Sequence, residues 1–125
     1  MSVIEQSPPT STAIDGIDHA TWAGEAQGLS QLSVWRQSMA PGAATPPHQH
    51  DCDEVVLCLA GEGELHTDGR CQRFGAHSTL ILPRGRVHQF FNVGTQPLET
   101  LGIFGQSPVP TCQPDGAPLP LPWRS

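Results

Sequence analysis

The sequence predicts an all-β single domain, on three observations. At 125 residues the chain can bury one core but not two. Thirteen glycines and thirteen prolines, with few long helical patterns, point to tight turns joining short strands. The stretch from Gly42 to Gly61 carries Pro46-Pro47 immediately before an alternating segment, so a helix is forbidden there and an extended chain is expected.

In chain order, residues 1–12 are rich in Ser, Thr, Pro and Gln and are expected to fray. Ile14 to Ala23 reads as a short strand before the Gly24–Gly28 turn. Leu29 to Met39 fits a helical face through Leu29, Leu32, Trp35 and Met39, and fits a strand with Leu32, Val34 and Arg36 opposite Ser33, Trp35 and Gln37. The Pro41-Gly42 stop and the β-rich neighbours favour the strand. In Glu54–Ala60, an inward Glu54 takes Val56, Cys58 and Ala60 inward with it and turns Val55, Leu57 and Leu59 outward. Three large aliphatics on one outer face call for a cover, from another part of the chain or from a second subunit. Glu62 to Phe74 is a hairpin about Asp68-Gly69, with Glu62, Glu64 and Asp68 on its wet face. Ser78–Leu82, His88–Val93 and Leu98–Phe104 are further strands. From Ser107 onward the prolines at 108, 110, 114, 118, 120 and 122 keep the tail out of any central strand. Trp123 either anchors that tail or is disordered with it.

Composition narrows the function. A net charge of −6 without a basic cluster argues against nucleic acid. The longest apolar run, Val55–Ala60, falls far short of the ~20 residues of a membrane span. No secretory leader is visible, and four cysteines without a CxxC pair suit a reducing compartment, so cytoplasmic residence is expected. The chain has neither lysine nor tyrosine, which removes Schiff-base chemistry and a tyrosine acid.

The chemistry gathers at His48, His50 and Glu54. Even spacing on an extended strand puts all three on one side, where two imidazoles and a carboxylate suit a first-row transition metal. Gly42, then His48-x-His50, Glu54 and Gly61, resembles the first motif of the cupin family. Pro83-x-Gly85, His88 and Asn92 resemble the second. Where the family has a glycine six residues before the proline, this chain has His77. The resemblance spans roughly residues 30 to 105 and implies a double-stranded β-helix barrel, here residues 13–106, between the 1–12 segment and a 107–125 tail that is packed on it or disordered. It also implies His48, His50, Glu54 and His88 as the ligands of one divalent ion (Fe, Mn, Ni or Zn), and it points to a homodimer.

Four protein ligands on an octahedral ion leave two positions for a small-molecule ligand, or for substrate and O2. The resemblance implies dioxygenases, decarboxylases, isomerases, lyases and cyclases alike. The shortage of proton donors favours dioxygenase-type chemistry, with a non-catalytic binding or sensing domain, or an isomerase, lyase or cyclase, as alternatives. Glu54, Arg36 and Cys52 are the catalytic candidates, while Phe90, Val56 and Arg36 are the candidates for contact with substrate. Cys52 shares the ligands' parity and reads either as a thiol beside the metal or as a small buried side chain. Arg84 and Arg86 read as turn charges or as a rim for an anion. His19, His66 and His77 read as solvated or locally bonded, His19 with the option of folding over the barrel mouth.

Overall fold

The computed structural model describes residues 1–125. Eleven strands alternate with turns: β1 (Thr10–Ser11), β2 (Ile17–Ala23), β3 (Ser33–Met39), β4 (Gln49–His50), β5 (Glu54–Ala60), β6 (Glu62–Thr67), β7 (Arg70–Gly75), β8 (Thr79–Leu82), β9 (His88–Asn92), β10 (Leu98–Phe104) and β11 (Thr111–Cys112). The only helix is a single 3-10 turn at Glu25–Gln27, so no helix is long and apolar enough to cross a membrane.

Six strands form one sheet in the order β1-β2-β3-β10-β5-β8, and three form a second in the order β7-β6-β9. A two-stranded ribbon, β11-β4, completes the architecture, joined to β9 by the isolated bridge between His48 and His88. The sheets enclose one core, to which Trp35, Val56, Leu80 and Leu98 contribute from the larger and Leu65 and Phe90 from the smaller. This is the all-β double-stranded β-helix expected of the sequence.

Strand alternation places most side chains as read. Glu54, Val56 and Cys58 are buried, while Val55 and Leu57 face out. Ala60 departs from the pattern and is exposed. A bulge pairs Thr100 with Cys58 but Glu99 with Ala60, so Leu59 is an extra residue and the parity breaks there. Thr10–Ser11, within the stretch expected to fray, pairs with Asp18–His19 on β2. Trp22 and Phe91 are half-buried on outer faces.

The hairpin turns at Asp68-Gly69, both residues having positive φ (41° and 74°), as a two-residue turn of this type requires. At residue 77 the turn keeps the glycine-like conformation although the residue is histidine: φ is 70° and the side chain is exposed. A residue with a Cβ costs about 1–2 kcal/mol in this region. His77→Gly is therefore expected to raise unfolding free energy by about 0.5–1 kcal/mol after the extra unfolded-state entropy of glycine is subtracted. Urea titration checks this, and a destabilised variant would contradict it.

Candidate metal centre

Three separate segments deliver the site. His48 lies just before β4 and His50 within it; Glu54 opens β5 and His88 opens β9. All four are buried, at 7%, 5%, 3% and 2% exposure respectively. The ring centroids of His48 and His88 are 4.3 Å apart, those of His48 and His50 4.9 Å. One ligand atom from each histidine falls within 4.8 Å of the other two. Glu54 Oε1 lies 3.3 Å from His88 Nε2 and 4.0 Å from His50 Nε2.

The outer nitrogens fix how the rings are used. Nδ1 of His48 is 2.6 Å from the Pro46 carbonyl, and Nδ1 of His88 is 3.0 Å from the Arg86 carbonyl. Nδ1 of His50 is 3.3 Å from the Pro110 carbonyl and 3.1 Å from Thr111 Oγ1. A backbone carbonyl can only accept, so in each ring Nδ1 carries the proton and Nε2 keeps its lone pair for the interior. Burial, then the neighbouring histidines, pushes His48 down to about 3; burial and then His88 push His50 down to about 4. Both are neutral at neutral pH, with donor electrons free.

Two atoms at the centre have nothing to bond with. His88 Nε2 and Glu54 Oε1 are buried without a hydrogen-bond partner. A carboxylate oxygen left bare beside three imidazole lone pairs is costly, and a cation at the centre removes that cost. The residues present therefore fit a divalent metal ion, and the histidine trio can hold one.

Beside this group lies a cavity of about 30 Å³, room for about two waters. Its wall includes His19, Trp35, Gln37, Phe90, Phe104, Leu121 and Trp123. The tail supplies the cover. β11 pairs with β4, opposing Thr111 to His50, and the Trp123 ring stacks on His19 at 4.2 Å with an 11° tilt. Arg124 bonds Glu25 at 2.6 Å, and its carbonyl accepts from Thr21 Oγ1. A second space of about 170 Å³ lies under the tail, sharing His50, Phe104, Leu121 and Trp123 with the first.

Of the sequence candidates, Phe90 lines the cavity. Val56 is core on the same face as Glu54, outside the cavity lining. Arg36 does not enter it: alternation on β3 turns Trp35 and Gln37 inward and Arg36 outward. There its guanidinium bonds Glu99 at 3.1 Å and the Thr100 carbonyl at 2.8 Å, 5.9 Å above the Trp22 ring. Cys52 is buried but outside the cavity lining, and burial followed by Glu54 pushes its thiol up to about 11. A thiol raised in this way is disfavoured as a thiolate nucleophile. Arg84 and Arg86 pair with Asp51 and Asp68 on the surface.

Gln37 is a wall residue the sequence did not single out, and His19, read with the option of folding over the barrel mouth, is buried in the wall. The signal for Gln37 was present: once Trp35 is core, alternation carries Gln37 in and Arg36 out. His19 is brought in by pairing of β2 with β3, opposite Gln37, a long-range placement without a local marker. Burial holds His19 down at about 4, with Gln37 acting weakly against it. The folded state thus refuses a proton that the unfolded chain accepts between pH 6.5 and about 4. Stability falls as pH drops through that window. At pH 5 His19 is expected to account for about 2 kcal/mol of the loss, measurable as a flatter stability–pH curve in His19→Gln than in wild type. Parallel curves would contradict it.

Comparison with known proteins agrees with this architecture. The Cupin domain family model matches residues 35–104. Auxin-binding protein T92 of Nicotiana tabacum is 33% identical over 129 residues, covering 94% of this chain and 69% of its own. Oxalate oxidase 1 of Hordeum vulgare is 30% identical over 112 residues, covering 82% of this chain and 55% of its own. The polyketide cyclase RemF from Streptomyces resistomycificus superposes with a TM-score of 0.72 at 20% identity, covering 87% of this chain and 83% of its own, a likeness of fold. With the two motifs, the sheet order and the family match in agreement, the chain belongs to the cupin family.

Proposed function

We propose that this chain is a metal-dependent small-molecule site, in which His48, His50, Glu54 and His88 hold one divalent ion of the Fe, Mn, Ni or Zn class and the adjoining cavity takes a small, flat organic anion. The observation that carries the reading is the convergence of four buried donor residues, with Glu54 Oε1 and His88 Nε2 left without partners. Three neutral imidazoles and one carboxylate leave a divalent ion with one uncompensated positive charge, which favours a carboxylate or another anionic oxygen. Trp35, Phe90, Phe104 and Trp123 supply a flat aromatic wall. His19 Nδ1 and Trp35 Nε1, on two of the lining residues, are also buried and unpartnered, and stand ready for a second polar group on the ligand. A relative named for binding auxin and another named for oxidising oxalate support small-molecule recognition in this scaffold.

When bound, the ion supplies Lewis-acid polarisation and, in its redox-active forms, access to oxygen chemistry. The residues around it do the selecting. The cavity is too small for an aromatic ring while Leu121 and Trp123 stay in place, so uptake of such a ligand requires the tail to give way. Binding is the first reading. Dioxygenase-type turnover is the second, favoured by a chain without lysine or tyrosine. His19 on the wall tempers that preference, because it supplies a neutral base beside Glu54 for isomerase or lyase chemistry. The test loads the protein anaerobically with Fe(II) or Zn(II) and titrates aromatic carboxylates, diketones and catechols by tryptophan fluorescence, then admits O2 at an electrode. Metal-dependent binding lost in His88→Ala supports the site. O2 uptake above that control selects turnover. A panel that binds equally with and without metal would overturn the reading.

The assembly belongs to the same proposal. On the outer face of the larger sheet Val55 pairs with both Ile81 and Ile103, and Leu57 with Leu101. Ile81 is 65% exposed and Leu59 46%. A contiguous aliphatic face of this kind is expected to be covered by a second copy in a two-fold dimer. Light scattering should give twice the chain mass at micromolar concentration. The mass of one chain would reject it.

A further inference from the structure

On the opposite side of the smaller sheet from His88 is a second set of donors that the barrel site does not use. His66 on β6 and Cys71 on β7 are direct cross-strand partners, and Glu64, two residues before His66, shares its face. His66 Nε2 is 3.0 Å from Glu64 Oε1, and Cys71 Sγ is 3.4 Å from the same nitrogen. One ligand atom from each residue falls within 4.8 Å of the other two. On the neighbouring strand β9, Phe91 packs its ring 4.5 Å from the His66 ring and limits its freedom. His88, Phe90 and Asn92 of β9 are buried in the core, while Gln89 and Phe91 face this cluster's side. The two donor sets therefore sit on opposite faces of one three-stranded sheet.

We propose that Glu64, His66 and Cys71 form a second, surface metal site for a thiolate-accepting divalent ion such as Zn(II) or Co(II). Ligand atoms held 2.0–2.3 Å from a tetrahedral ion are about 3.3–3.7 Å from one another. The observed 3.0 and 3.4 Å separations are close to two such edges, and only small side-chain adjustments are needed. Thiolate, imidazole and carboxylate together are a donor set that a d10 ion accepts and that Mg(II) or Ca(II) does not favour. The short turn at Asp68-Gly69 fixes the register that places His66 against Cys71, so the site is formed before the ion arrives. A groove of about 300 Å³ borders His66 and Cys71 and leaves the fourth position to water or an external ligand. On binding, the Cys71 thiol proton leaves to solvent. A proton on His66 Nε2 moves to Nδ1, so one proton is released for each ion bound to the neutral imidazole.

The test is a titration of wild type and Cys71→Ser with Co(II), followed by competition with Zn(II). The barrel set offers nitrogen and oxygen donors, so a thiolate-to-cobalt charge-transfer band reports the surface cluster alone. Wild type is expected to develop the band with one equivalent of Co(II) beyond that taken by the barrel site, and to lose it to Zn(II). Cys71→Ser should lack the band, and His66→Ala should weaken Co(II) binding at the cluster at least about 100-fold. Each substitution is on a surface hairpin and leaves the core untouched. Absence of the band in wild type, or its persistence in Cys71→Ser, overturns the proposal.

Discussion

His88→Ala is expected to lose barrel-site metal almost completely, by at least about 100-fold in affinity, while keeping its strand content. His88 is 2% exposed, and its Nε2 faces Glu54 Oε1 at 3.3 Å, so its removal takes away one of the four proposed ligands. The scaffold rests mainly on an apolar core that includes Ile17, Trp35, Met39, Val56, Leu80 and Leu98. His50→Ala should behave similarly, with the added loss of the Nδ1 contacts to Pro110 and Thr111 that hold the tail against β4. Elemental analysis in a Cys71→Ser background isolates the barrel site, and circular dichroism reports the fold. Variants that unfold would make the ion a structural brace; variants that keep wild-type metal would remove the ligand assignment.

Gly102→Ala is expected to be the most damaging of the small substitutions. Gly102 sits directly opposite Trp35 on β3 and Val56 on β5, at the centre of the larger sheet. A Cβ there would fall 1.9 Å from Cε2 and Cζ2 of the Trp35 indole, a distance no packed carbon pair tolerates. The ring must move, and Trp35 is part of the cavity wall, so both core and pocket change. Overpacking of this kind costs about 3 kcal/mol, or roughly 10 °C in melting temperature for a domain of this size. Thermal melting followed in the near-ultraviolet tryptophan signal measures both effects. A shift below about 2 °C would show that the sheet absorbs the methyl group.

The parts of this structure legible in the sequence are those governed by local rules. The spacing of His48, His50 and Glu54 pointed to one donor group, and the three do come together, although the chain bends at Asp51 and Cys52 between β4 and β5 rather than running extended. The second motif supplied His88 only through resemblance, since nothing local says that β9 lies beside β4. Period-two alternation placed Glu54, Val56 and Cys58 correctly and failed at Ala60, where the bulge opposite Glu99 adds a residue. Arg36, a candidate for catalysis and for contact with substrate, faces outward instead. Trp35 and Arg36 are adjacent on a strand and cannot both face in, and the guanidinium finds its carboxylate outside, on Glu99. The histidine at position 77 changed the motif but not the turn, because a single left-handed residue is affordable where the flanking strands fix the chain. The tail was the least legible. Its prolines exclude a central strand but say nothing of Trp123 stacking on His19, a contact between residues more than a hundred positions apart.

The most direct test of the metal-centred reading is X-ray absorption at the metal edge of Cys71→Ser protein, purified without added metal and paired with its elemental content. The expected result is one divalent transition-metal ion per chain in a nitrogen and oxygen shell with the multiple-scattering signature of several imidazoles, absent from His88→Ala. Metal-free protein that binds none on titration, or a shell built on sulfur, would contradict the assignment of His48, His50, Glu54 and His88.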